Sequence, residues 1–171
     1  MKTKHNQSLE SKFKIVTFYG FFKLELGKSS LLVERVSKIT EQNQIKGTIL
    51  IAPEGINGTV CGNPLGIDSL MNCFSDVLSD IELEVKFSWA NKQAFRRFKI
   101  RQKKEIVTMG VPNIDPNRTS GKYVDSTEWN DLIEDEDTLI IDTRNKYEVS
   151  IGSFEGSLSP GTRSFREFPS W

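Results

Sequence analysis

The residue types that most often perform covalent or metal chemistry are scarce in this sequence. It holds two cysteines, Cys61 and Cys73, and one histidine, His5. Cysteines twelve positions apart (73 − 61) match neither a zinc-ligand pair nor the framework of a disulfide-stapled secreted domain. His5 stands in the polar, basic stretch Met1–Gln7, read as a mobile tail, so a Ser-His-Asp triad or a histidine-rich metal site would rest on a tail residue. Both are discounted. Cys61 and Cys73 are expected as small core residues. Cys73 sits between Met71 and Phe74 on a helical pattern, free cysteine is commonly buried, and nothing nearby points to a depressed thiol pKa.

Charge is the stronger signal. Lys and Arg number 23 and Asp and Glu number 23, so the net charge is zero, yet the charges are segregated. Lys92, Arg96, Arg97, Lys99, Arg101, Lys103 and Lys104 face one acid, Glu105. Asp125, Glu128, Asp131, Glu134, Asp135, Glu136, Asp137 and Asp142 run without a base. This asymmetry implies two modules with different surfaces, one of them facing a polyanion. The basic run has two readings. Its cations could neutralise RNA phosphates, with Phe95 and Phe98 available for stacking or packing. It could equally be a solvated strand or linker. Arg96, Phe98 and Ile100 alternate with Arg97, Lys99 and Arg101, so a strand here would carry one fully basic face.

Two further places invite chemistry. Pro53–Thr59 could expose backbone N–H groups to an anion, or be a hairpin turn that needs Gly55 and Gly58 for their backbone angles. The turn is favoured, and Glu54 is left without an assigned role. Asp142 and Arg144 follow a predicted strand, a common place for site residues in α/β proteins. Held together as a buried ion pair they would instead be structural.

These residues must be held by elements that the rest of the sequence specifies. Hydrophobic residues make up 37% of the 171 residues, 17 are aromatic, and mean hydropathy is -0.39. Such values exclude a disordered chain, a coiled coil and collagen. No apolar run approaches the roughly 20 residues of a membrane span, and no signal-peptide pattern follows the basic start. A cytoplasmic protein without membrane contact is expected.

Ile15–Phe22 reads as a buried strand. Ser29 or Ser30 is expected to cap a helix carrying Leu32, Val36 and Ile39, with Glu34 and Lys38 paired one turn apart. Gly47–Ala52 is a second buried strand. Asn57-Gly58 predicts a tight turn, after which Thr59–Cys61 returns as a third strand. Asn63 and Pro64 open a second helix with Ile67, Leu70, Met71, Phe74 and Leu78 on its apolar face. Ile81, Leu83, Val85, Phe87 and Trp89 alternate with polar residues, predicting a half-buried strand. The order is βαββαβ, that of a ferredoxin-like domain. Val111–Asn117, rich in proline, reads as irregular linker. Asp125 and Glu128 form a capping-box pattern before Trp129, Leu132 and Ile133, and Thr138–Asp142 predicts a short buried strand. One strand cannot cover both faces of an α/β layer, so this second module reads as incomplete.

Four segments, in this order, resemble the rhodanese-domain-containing tRNA wobble-uridine hydroxylases of bacteria. They are Ala52–Thr59, Ala94–Thr108, Ile141–Glu148 with Ile151–Gly156, and Thr162–Pro169. The resemblance covers nearly all of residues 13–171. It implies an α+β chain: a ferredoxin-like domain over 13–90, a basic segment and linker over 91–118, and a partial rhodanese-like domain over 119–171. It implies oxygen-dependent hydroxylation of the wobble uridine, with molecular oxygen as co-substrate, no bound cofactor, and tRNA as partner. It raises the RNA reading of the basic run and makes Asp142 and Arg144 a loop-fixing pair. The family's catalytic cysteine lies in a rhodanese loop after a strand that this sequence, ending at Trp171, does not reach. Ser153 stands where rhodanese-like domains usually carry histidine. No catalytic residue is therefore assigned, and the chain is expected to be inactive alone unless a separate chain supplies the missing part. The rival readings are a non-enzymatic RNA-binding module and a sulfurtransferase. The latter has no nucleophilic thiol in the right domain.

Overall fold

In a computed structural model, residues 13–111, 121–122 and 124–171 are described. The tail with His5 and the linker from Pro112 to Asn117 lie outside them. The chain divides into two compact units, Met1–Ile106 and Val107–Trp171.

The first unit is built from β1 (Phe13–Phe21), α1 (Leu26–Gln42), β2 (Lys46–Ala52), β3 (Gly55–Gly62), α2 (Pro64–Val77), β4 (Glu84–Ala90) and β5 (Phe98–Gln102). The sheet order is β4-β1-β3-β2-β5. The first four strands pair antiparallel in the ferredoxin-like arrangement, and β5 adds a parallel strand beside β2. Val16, Phe18, Ile49, Ile51, Ile56 and Val60 point from the sheet into one core with Leu32 and Val36 of α1 and Ile67, Leu70 and Phe74 of α2. Both helices therefore cover the same face. Burial of these side chains is the main force holding the unit together, at about 1.5–3 kcal/mol each.

Several local expectations are corrected. Neither Ser29 nor Ser30 caps α1. The helix begins earlier, after Glu25, whose side chain makes no cap bond. Among the described residues the ion pair of α1 is Arg35 with Asp76, not Glu34 with Lys38. Asn63 does cap α2, its side chain accepting from Gly66 N at 2.7 Å, with Pro64 in the first turn. The hairpin turns at Pro53–Glu54, not at Asn57-Gly58, which lie inside β3 opposite Leu50 and Ile49. Gly55 carries the positive φ, 137°. Gly58 is required for space instead: a Cβ there would lie 2.7 Å from Phe18 Cζ and 2.9 Å from the Thr48 carbonyl oxygen.

The strand predicted from Ile81 starts only at Glu84. Val85 packs against the core, but Phe87 and Trp89 are 52% and 55% exposed. β4 is an edge strand, and the helix layer covers the sheet's centre rather than this border. Lys14 Nζ lies 4.4 Å from the centre of the Phe87 ring and 2.7 Å from Asp68.

The second unit contains α3 (Ser126–Glu134), α4 (Lys146–Val149) and a 3₁₀ helix, Phe165–Ser170. Asp125 caps α3, accepting from Thr127 N at 2.7 Å and Glu128 N at 3.1 Å, while the Glu128 carboxylate turns to Lys122 at 3.7 Å. The predicted strand Thr138–Asp142 forms only a single parallel bridge, Ile141 to Leu158, and Leu139 is 64% exposed. Among the described residues no strand flanks this bridge, so backbone donors and acceptors on either side join no ladder there. Among the unit's described residues Trp129 packs on Phe154, and Phe165, Phe168 and Trp171 form a stacked run. No helix among the described residues is long and apolar enough to cross a membrane.

Candidate nucleic-acid interface

The basic run is no linker. Residues 91–97 leave β4 at one border of the sheet and return at the opposite border as β5. On the way Gln93 Nε2 donates to the Cys61 carbonyl at 3.1 Å and Ala94 N to Cys61 Sγ at 3.5 Å, which explains why Cys61 is sealed from solvent. β5 is then locked to β2 from end to end: Gly47 N donates to Arg97 O at 3.0 Å, and Lys103 N to Ile51 O at 2.8 Å. Just beyond, Glu54 Oε1 accepts from Ile106 N at 2.6 Å. Glu54 thus anchors the exit of the basic strand to the hairpin, a role that sequence left open because its partner is 52 residues away.

Alternation along β5 follows the predicted pattern. Phe98 and Ile100 pack against the core, while Lys99 and Arg101 lie in register with Thr48 and Leu50 on the other face. Lys92, Arg96 and Arg97 are exposed in the crossover, Lys99 is half-buried, and Arg101, Lys103 and Lys104 are exposed. Phe95 and Phe98 are half-buried, and the exposed rings Phe87 and Trp89 lie on β4, at the opposite border of the sheet from β5. Among the described residues, the ion pairs are Lys14–Asp68, Arg35–Asp76, Lys122–Glu128 and Arg144–Asp142. None of the seven cations of the basic run takes part. A groove of about 810 Å³ runs between the C-terminal half of α1 and β5, with Ser37, Glu41, Gln44, Lys46, Lys99 and Arg101 on its walls. The strand and its flanks thus carry seven cations that join no ion pair among the described residues, an excess of positive charge in this stretch.

The other candidates are structural in geometry. Cys61 and Cys73 are free and buried, and burial pushes the Cys73 thiol pKa up, against the pull of the nearby Arg35. A raised pKa disfavours the nucleophilic thiolate. No group of three or more metal-ligating side chains occurs among the described residues. Asp142, its side chain 7% exposed, receives Arg144 Nε at 2.9 Å and Nη2 at 2.6 Å in a two-pronged pair. Hydrogen bonds from Arg144, its backbone N–H at 3.1 Å among them, hold the Asp142 carboxyl pKa well below the usual range, against the cost of desolvation, and Ser153 Oγ adds a further donor at 2.9 Å. Arg144 Nη2 also donates to Gly152 O at 2.7 Å, which ties the following turn to the pair. The contribution of Ser153 was not legible in sequence, because it depends on the turn that returns it to Asp142.

Known proteins match all or part of this chain. A chain named tRNA uridine(34) hydroxylase in Prochlorococcus marinus (strain MIT 9313) is 45% identical over 171 residues, covering 100% of this chain and 55% of that one. A chain of the same name in Synechococcus sp. (strain CC9902) is 47% identical over 166 residues, covering 94% and 54%. This chain thus spans about half the length of the curated relatives it matches. Among solved structures, an acylphosphatase from Coxiella burnetii covers 56% of this chain and all of its own at 16% identity, with a TM-score of 0.36. The profile of the UPF0176 acylphosphatase like domain matches residues 13–106, essentially the whole first unit with β5 included. The chain belongs to the UPF0176 acylphosphatase like domain family.

Proposed function

We propose that this chain is the tRNA-binding part of a tRNA uridine(34) hydroxylase, working in the cytoplasm. The observation that carries the reading is the set of seven basic residues, Lys92 to Lys104, fixed on and around β5 without an acidic partner among the described residues. Relatives bearing that name at 45% and 47% identity supply the chemical context. Lys and Arg would contact the phosphate backbone, a mode that gives affinity without sequence discrimination. The Asp142–Arg144 pair would act as a brace for the turn at Gly152, not as a reacting group.

Hydroxylation itself needs more than these residues offer. Both thiols are buried in the first unit, so the catalytic cysteine that the family resemblance calls for would come from residues beyond these 171 or from a partner chain. The 171-residue chain is expected to bind tRNA without forming hydroxyuridine. The test is to replace Arg96, Arg97, Lys99 and Arg101 together by Gln. Binding should weaken alike across tRNA species, and the slope of log affinity against log salt should fall by roughly 0.7–0.9 for each phosphate no longer neutralised. An unchanged affinity and slope would remove the role of this segment.

A further inference from the structure

The helix-free face of the sheet carries a feature that the basic run alone does not contain. Strand registers align one residue from each strand into a continuous row. Lys86 on β4 lies opposite Thr17, Thr17 opposite Thr59, Thr59 opposite Thr48, and Thr48 opposite Lys99 on β5. The row is polar throughout, with a lysine at each end and three hydroxyls between. None of its five members is acidic, and neither lysine joins an ion pair among the described residues. The basic crossover borders the same face, since Ala94 seats on Cys61, two residues along β3 from Thr59 and on the same side. By contrast, two cations on the helix side, Lys14 and Arg35, are neutralised by Asp68 and Asp76.

The row has the dimensions of a nucleic-acid track. Four strand spacings of about 4.8 Å place the Lys86 and Lys99 backbones about 19 Å apart, the span of a few nucleotides. Thr17 and Thr59 hydroxyls share one hydrogen bond of 3.0 Å. Whichever donates, the other keeps its proton for an outside acceptor. Thr48 is exposed and offers a further donor. Cations at the ends and neutral donors in the middle match a run of phosphate oxygens.

We propose that the Lys86–Thr17–Thr59–Thr48–Lys99 row is the track along which the RNA backbone crosses the sheet, so that Lys86, outside the basic run, is an RNA contact. This inference rests on the RNA-binding reading above and adds the face and the direction.

The experiment measures tRNA binding by the full 171-residue chain between low and moderate salt. Its variants are Lys86→Gln, Lys99→Gln, Thr48→Val and, as a control on the helix side, Lys38→Gln, with circular dichroism confirming that each folds. Lys86→Gln and Lys99→Gln should each lower the salt slope by about 0.7–0.9. Thr48→Val should weaken binding with the slope unchanged, because a hydroxyl displaces no counterion. Lys38→Gln should change neither. If Lys86→Gln matches Lys38→Gln while the four-residue basic-run variant loses slope, the row is overturned and the basic run stands. If the unaltered chain binds no tRNA, both readings fall.

Discussion

Leu70→Ala tests whether the two units hold together by separate means. Among the described residues the nineteen buried hydrophobic ones all lie between Val16 and Ile106, and Leu70 is one of them, fully enclosed in α2. Truncating such a side chain costs about 2–5 kcal/mol, through forfeited burial and the cavity left behind. At about 1.4 kcal/mol per tenfold, amides that exchange only when the first-unit sheet opens should speed up from about 30-fold to several thousandfold. Val60, on the sheet's central strand, reports this opening. The second unit has no comparable core among its described residues. Its two bridge amides, Asp142 N to Leu158 O at 2.8 Å and Leu158 N to Ile140 O at 2.9 Å, depend on local order alone. Hydrogen exchange read by NMR on the parent and on Leu70→Ala supplies the assay. The Asp142 and Leu158 amides should exchange faster than Val60 in the parent, and their rates should not move in the variant. If they are as slow as Val60 and accelerate by the same factor, the chain unfolds as one body and the reasoning fails.

Two other expectations follow from the ionisable groups. The Asp142 carboxyl is held well below its usual pKa by Arg144, so its contribution to the second unit is complete above the ordinary carboxylate range near 3.9 and is lost as pH falls towards the depressed folded-state value. Acid titration of the Arg144 Nε–H resonance should therefore show the pair surviving to pH values at which free carboxylates are already protonated, and its loss together with the exposed acids would contradict the geometry. Cys61 and Cys73, both buried, should resist iodoacetamide in the native chain and react fully in denaturant, as counted by mass spectrometry; stoichiometric native labelling would refute their placement as core residues.

How much was legible beforehand depends on the range of the interactions. α2 was readable down to its cap because Asn63, Pro64 and the spacing of Ile67, Leu70 and Phe74 act within one helix. The alternation of Phe98 and Ile100 with Lys99 and Arg101 was readable for the same reason. The turn was misplaced because Asn-Gly is a strong local signal, and here it was overridden. Gly58 sits where Phe18 and the Thr48 carbonyl leave no room for a side chain, while the positive φ falls to Gly55. Alternation predicts a half-buried strand with Phe87 and Trp89 on its apolar face, but it cannot tell an edge strand from a central one, and both rings are more than half exposed. Thr138–Ile141 has the composition of a buried strand, but composition supplies no neighbour for it to pair with.

By itself the sequence determined the element types, the βαββαβ order, the concentration of positive charge between Lys92 and Lys104, and the absence of a cysteine pattern suited to zinc or disulfides. These follow from short-range periodicity, capping and composition. Only the tertiary structure decided that the basic segment becomes a fifth strand beside β2, that Glu54 holds its exit, and that Lys86 shares a row with Lys99. Each depends on strand register between segments far apart in the chain. Register is fixed by which side chains fit together in the core, an arrangement set by the packing of the whole unit and not by any one stretch of residues.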